Sequence, residues 1–297
     1  MYGRIGMGAV VNVNGRITDE RDGVIPVFDH GFLYGEGVYE TLRTYGGSPF
    51  LYDRHVRRLR RSASLIALPL PFSDDDLLQR IRATIASADL DTHEAYIRVL
   101  VTRGVGELTY DLSATPTPSV VVIVKPQIDP PPEVYANGVR VVIVGIVRNH
   151  PASVNPMIKS NNLMNSALAM QEALSRGAFE GVMRNYLGEL SECTTSNLFI
   201  VKGGVALTPP LESGLLPGIT REFMFDVGRN VGVGVREAVL RDEDLYGADE
   251  AFLTSTTREA VPIVQVDNRT IGEGAPGAVT IRLLDGFRRA ARAGEAS

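Results

Sequence analysis

Amine chemistry in this chain has few candidates, because only Lys125, Lys159 and Lys202 of the 30 basic residues are lysines. Lys125 ends an apolar strand and meets a proline, and Lys202 ends another and meets Gly203-Gly204, so both read as solvated strand ends. Lys159 follows Asn155-Pro156-Met157-Ile158 and precedes Ser160-Asn161-Asn162, the polar start of an amphipathic helix. A lysine at such a strand-to-helix junction, facing a cleft, is partly desolvated, and nearby helix amides help keep its amine neutral enough to attack a carbonyl. A lone loop lysine is ordinarily a surface residue, so its surroundings decide the matter.

Two of those surroundings suit an anion. Gly214-Leu215-Leu216-Pro217-Gly218-Ile219-Thr220-Arg221 is a glycine-bracketed loop that runs into a helix, presenting amides and a hydroxyl at the positive end of the helix dipole. Thr254-Ser255-Thr256-Thr257-Arg258-Glu259 places four hydroxyls at the end of an apolar strand. Each alone is an ordinary cap or turn. Together with Lys159 they suggest a phosphorylated aldehyde cofactor held by a Schiff base. A pyridinium cofactor also needs a carboxylate at its ring nitrogen, and Glu189 and Glu192, on a strand after a hairpin, are the candidates. Strict alternation places Glu192 on the face of Leu190 and Thr194, opposite Ser191 and Cys193. Spacing alone does not choose between the two glutamates.

The elements that must position these residues are mixed in both halves. Asn14-Gly15 between Val10 to Val13 and Arg16 to Ile17 signals a hairpin, and Gly46-Gly47 flanked by Gly37 to Tyr45 and Pro49 to Tyr52 signals another. Helices are expected from about Asp53 and, capped by Ser73, through Leu77, Ile81 and Ile85. Strands are expected over Tyr96 to Thr102 and Ser119 to Lys125. Pro126 to Glu133 holds too many prolines for a helix or central strand and is taken as the start of an interdomain connection, 126–135, between domains 1–125 and 136–297. Beyond it come a strand (Val139 to Val147), a helix (about Asn162 to Arg176), a hairpin at Tyr186-Leu187-Gly188 and a strand (Asn197 to Lys202). A helix from Ile219 to about Val231, a strand near Glu250 to Thr254 and a terminal helix near Val279 to Ala293 follow. Two α+β domains with a cleft between them is the expected architecture.

Composition narrows the function further. The 297 residues are 44% hydrophobic and 22% charged, which is globular and enough for a sizeable core. The formal net charge of -5 argues against a nucleic-acid partner. The longest apolar runs, such as Val120 to Val124, are far too short to span a membrane, and Met1 to Gly8 lacks an apolar leader core, so a cytoplasmic protein is expected. The single cysteine, Cys193, excludes an internal disulfide, and His30, His55, His93 and His150 have no metal-ligand spacing, so no metal is expected.

Seven stretches in order, over essentially the whole chain, resemble the class IV pyridoxal-phosphate aminotransferases of the branched-chain and D-amino acid type. They are Asp29 to Thr41 (DHGFLYGEGVYET), His55-Val56-Arg57-Arg58-Leu59, Tyr96-Ile97-Arg98, Ile158-Lys159-Ser160, Glu192 through Asn197-Leu198-Phe199, Leu216 to Arg221, and Thr254 to Pro262. The resemblance implies a small mixed α+β N-terminal domain, a larger C-terminal domain built around a β-barrel, and pyridoxal 5'-phosphate between them. It implies that Lys159 is the Schiff-base lysine and Glu192 the partner of the pyridine nitrogen. It implies that Arg58, Ile219, Thr220 and Thr256 bind the phosphate. Without the match, the whole Arg54 to Arg61 cluster reads as a solvated helix face. A homodimer, with a small-domain loop of one subunit covering its neighbour's cleft, rests on the resemblance alone.

For the substrate, Tyr34, Tyr39, Tyr96 and Arg98 fall where the branched-chain enzymes place residues around it, with amides of the Thr256-Thr257 turn offered to its α-carboxylate. Amphipathic core packing is the competing account of the tyrosines. D-amino acid enzymes carry an Arg-x-His carboxylate trap in a loop that here reads Arg103-Gly104-Val105-Gly106-Glu107-Leu108-Thr109-Tyr110-Asp111, without that pair. Against this, Thr41 stands where many branched-chain enzymes have Gly, and Leu163 near a position where they often have Tyr. The expected reaction is transamination of L-branched-chain amino acids with 2-oxoglutarate, Arg98 steering the distal carboxylate of glutamate. The alternatives are D-alanine transamination with Arg258 or Arg43 as carboxylate anchor, an aminodeoxychorismate lyase, and a binding protein without turnover.

Overall fold

A computed structural model describes residues 8–90 and 93–294. Most of the amino-terminal stretch on which the expectation of no leader rests, Met1 to Met7, lies outside the described residues. The chain forms two compact units: the first runs to Ile128 and also takes in Ile158–Asn162, and the second comprises Asp129–Met157 and the chain from Leu163 onward. The division at Ile128 falls within the proline-rich stretch.

In the first unit, β1 (Val10–Val13) and β2 (Arg16–Asp19) form the Asn14-Gly15 hairpin, with both turn residues at positive φ. The short helix α1 (His30–Leu33), β3 (Gly37–Tyr45) and β4 (Ser48–Pro49) follow. The second hairpin strand therefore stops at Pro49, and Tyr52 belongs instead to α2 (Tyr52–Leu65). Helix α3 (Asp74–Ala86) opens on a capping box between Ser73 and Asp76. With β5 (Ala95–Thr102) and β6 (Ser119–Pro126), the strands make an antiparallel sheet in the order β2-β1-β6-β5-β3-β4.

Period-2 alternation gives this sheet two unlike faces. Val38, Leu42, Ile97, Val99, Val101, Val120, Val122 and Val124 pack with Leu59 of α2 and Leu77 and Ile81 of α3 in one core. The other face carries Tyr39, Thr41 and Arg43 of β3, paired in register with Leu100, Arg98 and Tyr96 of β5.

The second unit contains α4 (Pro132–Asn137), β7 (Val139–Ile143), α5 (Met164–Ser175), β8 (Glu180–Arg184), β9 (Leu190–Cys193), β10 (Asn197–Lys202) and β11 (Val205–Thr208). It continues with α6 (Ile219–Val231), β12 (Val235–Glu237), α7 (Asp242–Tyr246), β13 (Glu250–Ser255), β14 (Glu259–Val266), β15 (Arg269–Thr270) and α8 (Ala278–Ala293). The strand order is β12-β11-β10-β13-β14-β7-β8-β9, with β15 on β14. Strands from across this order share one core, with Val141, Val182, Leu190, Leu198, Leu253 and Val261 in a single cluster, so the sheet curls on itself. This is the barrel-like core that the resemblance implies.

Three local expectations are corrected. A helix does begin inside Pro126 to Glu133, because Pro132 occupies its first position, where a missing amide is harmless. The strand expected to reach Val147 ends at Ile143. Leu190 and Cys193 of β9 pack in the same cluster, which strict alternation forbids; the β8–β9 ladder slips between Val182 and Arg184 and resets the facing.

Candidate active site

Lys159 is carried not by a helix entrance but by an extended segment beside β3. Tyr39 donates its amide to the Lys159 carbonyl at 2.9 Å, Ser160 bridges Val38, and Asn161 donates its amide to the Gly37 carbonyl at 2.9 Å. The Lys159 amide in turn donates to Ser62 Oγ of α2 at 3.1 Å. Gly37 is required for this pairing, since a Cβ there would lie 2.4 Å from Asn161 Nδ2 and 2.8 Å from the Val101 carbonyl. Helix α5 begins only at Met164.

Pinned on both sides, Lys159 sets its half-buried amine 4.5 Å from the centre of the Tyr39 ring, and Arg98 lies over the same ring at 4.2 Å. Thr41 lies directly opposite Arg98, and Arg43 opposite Tyr96, which also meets Lys125 Nζ at 5.1 Å from its ring centre. The structure thus brings Lys159, Tyr39, Tyr96 and Arg98 to one face. Lys125, read as a solvated strand end, shares it. Tyr34 stands elsewhere in the unit, at the end of α1, edge-on to His30 at 4.9 Å and beside Tyr110 at 5.2 Å.

Arg58 is not on a solvated helix face. It is buried on α2, where its Nε and Nη2 donate to the two oxygens of Glu40 at 2.7 Å each, and the Nδ1 of His55 is 2.7 Å from the same carboxylate. Burial alone would raise the Glu40 pKa, but Arg58 and then His55 outweigh it and bring it down to about 2. Burial holds the His55 pKa below its usual value against the pull of Glu40. Sequence reasoning passed over Glu40 and His55 as functional supports. The available signal was a carboxylate at a core-facing position between Val38 and Leu42, opposite a His and an Arg three apart on one helix face.

In the second unit, Glu192 is 6% exposed and held by several donors. Arg148 Nε donates to it at 2.7 Å, Asn197 Nδ2 at 3.3 Å and the Leu216 amide at 3.1 Å. Asn197 also donates to the Leu216 carbonyl at 3.0 Å, and a Cβ on Gly218 would fall 1.8 Å from Asn197 Oδ1. Glu189 behaves differently: it closes the hairpin turn with Asn185 at 3.0 Å and lies 3.5 Å from Arg241. Arg148 and Asn197 were not singled out from the sequence as ring-carboxylate supports.

Ile219 and Thr220 open α6, and Gly218 at its N-cap has no side chain to cap the first turn. Those first amides suit an anion, and with the Thr220 hydroxyl they form a donor set that fits a phosphate. Thr256 and Thr257 lie in the three-residue turn between β13 and β14. That turn ends at Glu259 with φ +57°, a left-handed conformation that costs a non-glycine residue about 1 kcal/mol. Its carboxylate is held by Arg288 at 2.7 Å. Among the described residues no group of His, Cys, Asp and Glu could hold a metal ion, and no helix is long and apolar enough to cross a membrane.

Residues 37–266 match the family model for amino-transferase class IV. A Methanocaldococcus jannaschii protein, named provisionally as a branched-chain-amino-acid aminotransferase, is 37% identical over 94% of this chain and 95% of its own. The D-alanine aminotransferase of Bacillus licheniformis is 33% identical over 90% of this chain and 92% of its own. The crystal structure of the Escherichia coli branched-chain amino acid aminotransferase superposes with a TM-score of 0.91 at 32% identity, covering 97% of this chain and 96% of that one. The branched-chain aminotransferase of the archaeon Thermoproteus uzoniensis, solved with norvaline, is similar at 31% identity and a TM-score of 0.88, covering 96% of this chain and 95% of that one. With the family matched over most of its length and the same fold in both units, the chain belongs to the class IV aminotransferases.

Proposed function

We propose that the protein is a pyridoxal 5'-phosphate-dependent transaminase of L-branched-chain amino acids with 2-oxoglutarate as amino acceptor. The observation that carries this reading is the Lys159 amine held against the Tyr39 ring, on the sheet face that also bears Tyr96 and Arg98. Lys159 is the residue that binds the cofactor covalently. Arg58, Ile219, Thr220 and Thr256 bind its phosphate, and Glu192 holds a proton on its ring nitrogen. When bound, the cofactor supplies an aldehyde to receive the amino group and a ring to draw electrons from the substrate Cα. Lys159 Nζ would take up the Cα proton of the substrate and later return one.

Tyr39 and Tyr96 line an apolar side-chain pocket, of which Tyr34, at the end of α1, is not part. Arg98 orients the distal carboxylate of glutamate, and the Thr256-Thr257 amides receive the α-carboxylate. Relatives named branched-chain aminotransferases support the donor class. The D-alanine reading draws on the Bacillus licheniformis relative, but both arginines considered as its anchor are engaged: Arg258 with Thr195, and Arg43, 3% exposed, against the Tyr45 ring.

A homodimer is part of the proposal. Val27 and Phe28 before α1, Phe32 in it, and Leu108 and Tyr110 on the loop after β5, which the Asp29–Val105 bridge joins to that segment, are all exposed, apolar surface of the kind that subunits cover. Sedimentation of active enzyme as a monomer would remove this part. For the substrate, single-turnover mixing with L-leucine, L-valine, D-alanine, D-glutamate and an (R)-amine is the test. L-leucine or L-valine is expected to convert the cofactor fastest, and D-alanine clearly ahead of them overturns the donor assignment.

A further inference from the structure

Glu180, the first residue of β8, has no solvent exposure. Its carboxylate accepts from Thr194 Oγ1 at 3.0 Å, Thr195 Oγ1 at 2.6 Å, the Thr195 amide at 2.5 Å and Ser196 Oγ at 2.6 Å. Arg258 Nη2 completes the set at 3.4 Å. A carboxylate with two oxygens and about four acceptor sites is saturated by these donors, which is what permits its charge to be buried.

The donors come from two separate stretches of chain. Thr194 to Ser196 directly follow Cys193, the last residue of β9, and lead into β10. Arg258 closes the β13–β14 turn immediately after Thr256 and Thr257. Arg258 also donates to Thr195 Oγ1 at 2.7 Å and to Ser255 Oγ at 3.2 Å, so Glu180, Thr195 and Arg258 form a closed hydrogen-bonded ring. The turn held by this ring is the one strained at Glu259, and a strained turn keeps its shape only when its surroundings over-determine it.

We propose that Glu180 is a positioning residue which, through Thr195 and Arg258, holds the Thr256-Thr257 turn in the conformation that receives the cofactor phosphate. This rests on the reading that the turn binds that phosphate. A role confined to general folding would weaken both forms of the cofactor equally, whereas a role at the turn weakens the phosphorylated form and spares the one without its phosphate.

The test compares dissociation constants of pyridoxal 5'-phosphate and of pyridoxal, which lacks the phosphate, for the cofactor-stripped wild type, Glu180→Gln, Arg258→Ala and the double variant. Each single variant is expected to lose about tenfold or more in affinity for the phosphorylated form, with pyridoxal changed by less than about twofold. The double variant is expected to lose no more than the worse single, because both cut the same ring. Equal losses for both ligands, no loss for either, or losses that add in full overturn the role. Arg258, at the accessible end of the ring, carries the same comparison should Glu180→Gln not fold. A wild type that binds both ligands equally removes the phosphate reading, and the role of Glu180 falls with it.

Discussion

Glu192 accepts the backbone amide of Leu216 at 3.1 Å, two residues before Gly218, the N-cap of α6. The carboxylate assigned to the ring nitrogen and the helix start assigned to the phosphate are therefore braced against each other within one unit. Asn197 strengthens the brace by donating to both Glu192 and the Leu216 carbonyl.

Gly218→Ala tests that brace. Its new Cβ would sit 1.8 Å from Asn197 Oδ1, so either Asn197 leaves Glu192 or the loop shifts. Cofactor affinity is expected to fall by about tenfold or more, read by titration of the stripped protein. An unchanged dissociation constant shows that the loop is not held by Asn197.

Glu192→Gln is expected to leave the fold intact and cut turnover by orders of magnitude, since an amide does not hold the ring nitrogen protonated. Glu189→Gln, in a hairpin turn closed by Asn185, is expected to keep near-normal turnover. Steady-state kinetics with equal circular dichroism checks both, and the reverse pattern reassigns the ring partner.

Acid should destabilise the first unit through Glu40 and His55. The Glu40 pKa is depressed from 4.5 to about 2, so its stabilising contribution is present above about 4.5 and is lost as pH falls towards about 2. His55 is depressed below 6.5, so its contribution too is full above that value and declines below it. Glu40→Gln should flatten the fall of the denaturation midpoint between about pH 4.5 and pH 2. An equally steep fall in the variant shows that the Glu40–Arg58 pair is not the acid-sensitive element.

Burial, followed by the neighbouring Glu180, pushes the Cys193 thiol well above its ordinary pKa. A thiol reagent at neutral pH is therefore expected to leave the folded protein unmodified and to label Cys193 only on unfolding. Stoichiometric labelling of the native protein contradicts the packing of β9.

The signals legible in the sequence were local ones. Asn14-Gly15 sets its hairpin and Ser73 caps α3, because turn and cap chemistry act within a few residues. What escaped was long-range. The extended path at Lys159 comes from hydrogen bonds to β3, more than a hundred residues earlier, which no periodicity near Lys159 reveals. Strand β14 was hidden by Pro262, tolerated because its ladder to β7 begins only at Ile263. Arg58 was separable from its neighbouring arginines only through family resemblance, since its partner Glu40 lies on a different element.

Borohydride reduction of the cofactor-loaded protein followed by peptide mass spectrometry tests whether Lys159 bonds to the cofactor. A single pyridoxyl adduct on Lys159 is expected, absent in Lys159→Ala. An adduct on Lys125 or Lys202 instead, or no adduct at all in the loaded wild type, would contradict it.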